Sequence, residues 1–203
     1  MDTTSELSAR LPHSAHGPRA FGWWGMVWLI ATEATLFAML IASYFYLRFR
    51  SSPEWPPPPI EAPELALPLV MSAILLSSSI PVHYAEKAIQ KGNVTGLRIG
   101  LALGALLGAI FLGITWGIEW PEALHHFTPR TNAYGSMYFT VTGFHGAHVV
   151  VGLAFSVWTQ VRAWQGAFGP ERHLTVQNFA LYWHFVDVVW IAVFLTIYLS
   201  PNL

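Results

Sequence analysis

The stretch Trp23 to Leu47, WWGMVWLIATEATLFAMLIASYFYL, holds one charged residue, Glu33, in twenty-five positions. A water-facing helix would show a polar stripe, and this run has none. At ~1.5 Å per residue it outreaches a hydrocarbon layer of ~30 Å. It reads as a membrane span. A polar segment of about twenty residues precedes it and no small-residue cleavage pattern follows, so it is not read as a cleaved signal peptide.

Four more runs share this character: about 65–85, 96–120, 133–158 and 178–199. Together they predict an all-α, polytopic membrane protein with five transmembrane helices, because backbone in lipid must satisfy its own hydrogen bonds. The domain reading is a loose polar tail over 1–22 and a five-span transmembrane domain over 23–203. Composition agrees. Of 203 residues 54% are hydrophobic and 10% charged, against ~25% charge in soluble domains. Ten Trp fit a chain that crosses two headgroup regions.

The formal net charge of -1 argues against a nucleic-acid partner, and the absence of Cys removes thiolate chemistry, disulfides and Cys-ligated metals. The links are short, so successive helices run antiparallel. Pro53-Glu54-Trp55-Pro56-Pro57-Pro58-Pro59 predicts a stiff extended connection after the first span. Pro81 is placed to kink or close the second. Gly100, Gly104 and Gly108 recur every four residues in the third, with Gly113 beyond, and permit close helix approach.

Lys and Arg are divided unevenly. Arg10, Arg19, Lys87, Lys91, Arg98, Arg162 and Arg172 fall on one side, and Arg48, Arg50 and Arg130 on the other. The positive-inside rule then predicts a cytoplasmic N terminus and a C terminus on the outer side.

Five intramembrane residues are costly to bury: Glu33, His145, His148, His184 and Asp187. Helix rise puts Glu33 and Asp187 both ~13–15 Å from the cytoplasmic side, with His145 at a similar level. A polar layer joining spans one, four and five is the expectation. His145 and His148 are an i,i+3 pair, as are His184 and Asp187. Such residues tie helices together, move protons or ligate metal or heme; tying helices is the commonest of these uses. Glu33 reads equally as a protonated structural acid or as a proton-exchanging group. Glu119, Glu122, His125 and His126 lie near an interface and read as a solvated rim. No nucleophile–base arrangement or metal motif rises above background, which favours a membrane bundle that works within a larger assembly. The odd span number and lack of repeats disfavour a transporter.

Three ordered motifs carry a specific likeness. Ala133-Tyr134-Gly135-Ser136-Met137-Tyr138-Phe139-Thr140-Val141-Thr142-Gly143-Phe144-His145-Gly146-Ala147-His148 and Leu181-Tyr182-Trp183-His184-Phe185-Val186-Asp187-Val188-Val189-Trp190 resemble the signature stretches of cytochrome c oxidase subunit III. Trp28-Leu29-Ile30-Ala31-Thr32-Glu33-Ala34-Thr35-Leu36-Phe37 resembles that family's helix with an intramembrane Glu. The chain is similar to the short form, which lacks the first two of seven spans.

The resemblance implies an accessory subunit III of a respiratory heme-copper oxidase. That complex reduces O2 to water and pumps protons; the alternative is a quinol oxidase or nitric oxide reductase-associated homologue. A heme-b anchor, using His145 or His148 with His184, and a small transporter are the other readings. As implied by the resemblance, this chain is non-catalytic and has no heme or copper of its own. Those cofactors reside in partner subunits, and bound phospholipid is expected. Its partners are subunit I directly, with subunit II and small subunits in the same complex, in a bacterial plasma membrane. Glu33, Glu119, His145, His148, His184 and Asp187 occupy family-motif positions as structural or proton-supporting residues. Two stretches depart from the pattern: Trp116 stands where many members have Gln, and Tyr84-Ala85-Glu86-Lys87 replaces a Trp-Ala-His-His-like stretch.

Overall fold

The computed structural model describes residues 21–51 and 54–203, so the tail reading lies, through residue 20, outside the described residues. Five helices are long and apolar enough to cross a membrane: α1 Phe21–Arg50, α2 Ala66–Gln90, α3 Val94–His126, α4 Ala133–Trp164 and α5 Leu174–Asn202. No strand occurs among the described residues. Most helices outrun their apolar stretches, by five residues at the end of α2 and six at the ends of α3 and α4. Hydropathy marks only the hydrocarbon-facing part; beyond it a helix keeps its backbone bonds while residues such as Lys87 and Arg162 meet water.

Caps explain two of the starts. The Asn93 side chain accepts from the Gly96 N–H at 2.8 Å to open α3, and Asn132 accepts from the Gly135 N–H at 3.0 Å to open α4. Two spans contain a π turn, Thr115–Glu119 in α3 and Phe194–Leu199 in α5. Both lie at the end of the bundle that carries the α1–α2 connection, here termed the link end.

α2 through α5 form a packed group, and α1 lies on its flank against α4 and α5. The glycine stripe of α3 is the seam with α2. A Cβ on Gly100 would stand 2.4 Å from the Pro81 carbonyl oxygen, and one on Gly104 2.6 Å from Val82. Pro81 therefore does not close α2, which continues to Gln90; its carbonyl lies against the glycine that faces it. One turn further, Gly108 faces the Trp183 ring of α5, which Gly152 of α4 also meets. The Trp183 indole N–H donates to Ser78 of α2 at 2.8 Å. One side chain thus joins four helices.

The connection after α1 is compact, where the prolines predicted an extended link. Residues 54–56 bend, and Ile60 N–H closes a turn on the Pro57 carbonyl. The Trp55 indole donates to the Tyr44 hydroxyl at 2.8 Å, and Asn132 donates to the Pro57 carbonyl at 2.7 Å. An extended proline run leaves its carbonyls to water; here α1 and α4 supply partners that fold it over the link end. Pro53 lies outside the described residues.

Candidate functional site

The intramembrane polar residues sort into three nodes. The first joins α1 to α4: Glu33 Oε2 lies 3.1 Å from His148 Nε2. His148 Nδ1 sits 2.7 Å from the Phe144 carbonyl, which can only accept, so Nδ1 carries a proton. Two states then remain for the pair: neutral imidazole accepting from a protonated Glu33, or imidazolium donating to its carboxylate. Either way one proton lies between Nε2 and Oε2. The Tyr182 hydroxyl donates to the His148 carbonyl at 3.1 Å and brings α5 to the same place. The Glu33 side chain is 32% exposed and that of His148 14%.

The second node joins α5 to α2. Ser79 donates to Asp187 Oδ2, and its oxygen is 2.8 Å from His184 Nδ1. A serine has one proton, and it is committed to Asp187, so His184 Nδ1 must be the donor to Ser79. Asp187 is buried, and its Oδ1 has no partner among the described residues. The His83 ring lies 6.5 Å from that of His184 between centroids.

The third node occupies the link end. Glu119 of α3 accepts from the Tyr138 hydroxyl of α4 at 2.9 Å and from the Tyr198 hydroxyl of α5. It is 7% exposed, which overturns its reading as a solvated rim; Glu122, His125 and His126 do face outward. The cause is helical phase. Gly104, Gly108, Phe111, Thr115 and Glu119 follow each other at three- and four-residue steps and are all buried. Extending the glycine stripe along the sequence would have found Glu119.

His145 stands apart from all three nodes. It is 1% exposed, its Nε2 donates to the Val186 carbonyl at 3.3 Å, and its ring packs against the Phe111–Trp190 pair, 5.7 and 4.9 Å from their centroids. Its i,i+3 neighbour His148 points to α1 instead, since three residues rotate a helix by about 60° and that suffices to change neighbours. The anticipated layer therefore links α1 to α4, α4 to α5 and α5 to α2 through separate contacts. The structure brings together Glu33 with His148 and His184 with Asp187. Ser79, Tyr138, Tyr182 and Tyr198, which complete the nodes, escaped the sequence reading because hydroxyl residues in apolar helices are ambiguous.

His145, His148 and His184 turn toward three different partners, so no two of them face each other across a heme-sized slot. Among the described residues no group of three or more His, Asp or Glu is placed to hold a metal ion. These geometries favour fixing helices and holding protons at defined atoms.

Comparison with known proteins places the chain. The family model described as "Cytochrome c oxidase subunit III" matches residues 7–201. A "Probable cytochrome c oxidase subunit 3" of Nocardia farcinica is 37% identical over 186 residues, 92% of this chain and 91% of that protein. The "Cytochrome c oxidase subunit 3" of Thermostichus vulcanus is 35% identical over 188 residues, 91% and 90% of the two chains. That of a Synechocystis species is 36% identical over 201 residues, 98% of this chain and 84% of its own.

Proposed function

Because this chain belongs to the cytochrome c oxidase subunit III family, we propose that it serves as the accessory third subunit of a bacterial respiratory heme-copper oxidase. The observation that carries this reading is the family match across residues 7–201, which includes all five membrane helices. The complex would reduce O2 to water and move protons outward, with heme and copper held by partner subunits. This chain would pack against subunit I, with subunit II in the same assembly, and would perform no redox step of that reaction. Its buried polar nodes bond helices to each other, which supports a scaffold role.

In this reading the link end faces outward and the N terminus is cytoplasmic, as the distribution of Lys and Arg supports. The large side chains exposed along the helices, among them Trp28, Met39, Leu103 and Val188, would meet lipid or partner helices. Glu33 would act as a positioning and proton-holding residue that keeps proton supply to the partner steady. It has the required features: a mid-helix carboxyl, one-third exposed, sharing a proton with His148.

Isolation from native membranes under mild detergent tests the assignment. The chain should co-purify with a heme-copper subunit, and its reproducible recovery without one would overturn the reading. Reduced-minus-oxidised spectra of the chain separated from its partners should show no heme bands; a heme-b spectrum would support an anchor role instead.

A further inference from the structure

The link end contains an array of oxidisable rings that packing does not require to be oxidisable. From the core outward, Trp190 and Tyr198 have ring centroids 6.0 Å apart, Tyr198 and Tyr138 5.9 Å, Tyr138 and Tyr134 6.3 Å, and Tyr134 and Trp55 5.9 Å. Trp190, Tyr198 and Tyr134 are fully buried, whereas Trp55 is half-buried in the connection that covers this end. Every step joins two rings that can each lose one electron.

What separates two members from the rest is a base. A phenol that loses an electron must also lose its proton, and in an apolar interior it can do so only to a group already in contact. Tyr134 donates to the Ile197 carbonyl, which cannot hold a proton, and the hydroxyl of adjacent Tyr44 meets Ser200 and the Trp55 indole. Tyr138 and Tyr198 both donate to Glu119 Oε1. Oε1 accepts both phenols through its two lone pairs, and Glu119 Oε2, buried without a partner among the described residues, is the open position for a proton arriving from either. Glu119 and Tyr198 come from the two π turns, a distortion that recurs at functional sites.

We propose that Tyr138 and Tyr198, with Glu119 as their base, form a redox-active tyrosine site reached through the ring array from Trp55. In the forward step one electron leaves a phenol, passes along the rings and reduces a one-electron oxidant at the link end. The phenolic proton moves to the Glu119 carboxylate, leaving a phenoxyl radical beside a carboxylic acid. A one-electron reductant at the same end reverses both transfers. The oxidants in view are partly reduced oxygen radicals, and the site would draw their oxidising equivalents away from the other side chains.

Flash photolysis of the intact, detergent-solubilised membrane complex tests this, with photogenerated ruthenium(III) tris-bipyridine as the oxidant. Electron paramagnetic resonance with ring-deuterated tyrosine should identify a tyrosyl radical in the wild type. The double variant Tyr138→Phe/Tyr198→Phe keeps the rings and removes the phenols, and the difference between the two samples should contain that radical. Glu119→Gln keeps an acceptor oxygen but no base. Since a positioned proton acceptor accounts for ~10²–10⁴-fold in proton-transfer chemistry, its radical yield should fall by about tenfold or more. Absence of a tyrosyl signal in the wild type, an identical signal in the double variant, or an unchanged yield in Glu119→Gln would each overturn the proposal. If the double variant fails to assemble, the single variants Tyr138→Phe and Tyr198→Phe carry the same comparison, and a tyrosyl signal unchanged in both would overturn the proposal.

Discussion

Glu119 and Glu33 are both carboxylates set in apolar helices, and the bundle treats them differently. Glu119 sits where α3, α4 and α5 converge, with two tyrosine hydroxyls on one oxygen and the folded proline connection beyond. Glu33 sits on α1, whose described residues include only two that are buried, Phe37 and Tyr44, and its polar link is one bond to His148. The interior of the packed group is over-determined, whereas the flank is held by few contacts. Energetic damage should therefore concentrate in the α2–α5 group and functional sensitivity on the α1 flank.

The sharpest test of the first half is steric. Gly152→Leu drives a side chain into the Trp183 ring, which even a Cβ there would approach to 2.8 Å and which Gly108 also meets. The indole cannot retreat without losing its bond to Ser78. Overpacking of this kind costs about 3 kcal/mol, and thermal unfolding of the purified complex should show loss of this chain well below the wild-type temperature. Survival of Gly152→Leu at wild-type stability would mean that the Trp183 junction does not hold the four helices together.

Next in size is Glu119→Ala, which leaves the Tyr138 and Tyr198 hydroxyls without their acceptor. Buried donors stripped of a partner cost ~1–3 kcal/mol each in soluble proteins and less in membrane bundles, so about 2 kcal/mol is expected. Glu119→Gln should recover at least half of that loss in the same denaturation assay, because the amide oxygen still accepts.

Much of this architecture was legible in the sequence, for a physical reason. Lipid allows only internally bonded backbone, so five apolar runs imply five helices, and the glycine period marked a line of close approach whose partner, α2, only the structure names. What hydropathy could not convey was helical phase near the ends. Glu119 stands among Glu122, His125 and His126 in the sequence, yet phase alone turns it inward and them outward. The proline connection misled because its composition reports backbone stiffness and not the donors, Asn132 above all, that fold it back. Ser79 was invisible for a related reason: a serine in an apolar helix usually bonds its own backbone, and only the arrival of α5 gives it Asp187 and His184.

On the flank the stability effect should be small and the functional one larger. Glu33→Ala removes one interhelical bond, for which ~0.6 kcal/mol is typical in membrane bundles. Initial oxidase activity and heme spectra of the complex should stay near wild type, while activity should decay faster during continuous turnover. Identical decay curves for the variant and wild type, in fully assembled complexes, would remove the proton-supporting role assigned to Glu33.

The smallest effect is the most informative about chemistry, since the two permitted states of the pair respond differently to an amide. If Glu33 carries the shared proton, His148 Nε2 is an acceptor, and Glu33→Gln can present an N–H to it in nearly the same place. If the proton is on His148, the same substitution removes a charge from an ion pair and leaves imidazolium facing an amide. A double-mutant cycle of Glu33→Gln with His148→Gln measures the coupling directly. The favoured outcome is a neutral pair, because the site is set in apolar helices where a separated charge pair must offset the loss of hydration of both ions. Glu33→Gln should then lie within about 0.5 kcal/mol of wild type and close to or above Glu33→Ala. A Gln variant less stable than the Ala variant would instead identify an ion pair, and with it a flank whose charge, not its hydrogen bond, holds α1 in place.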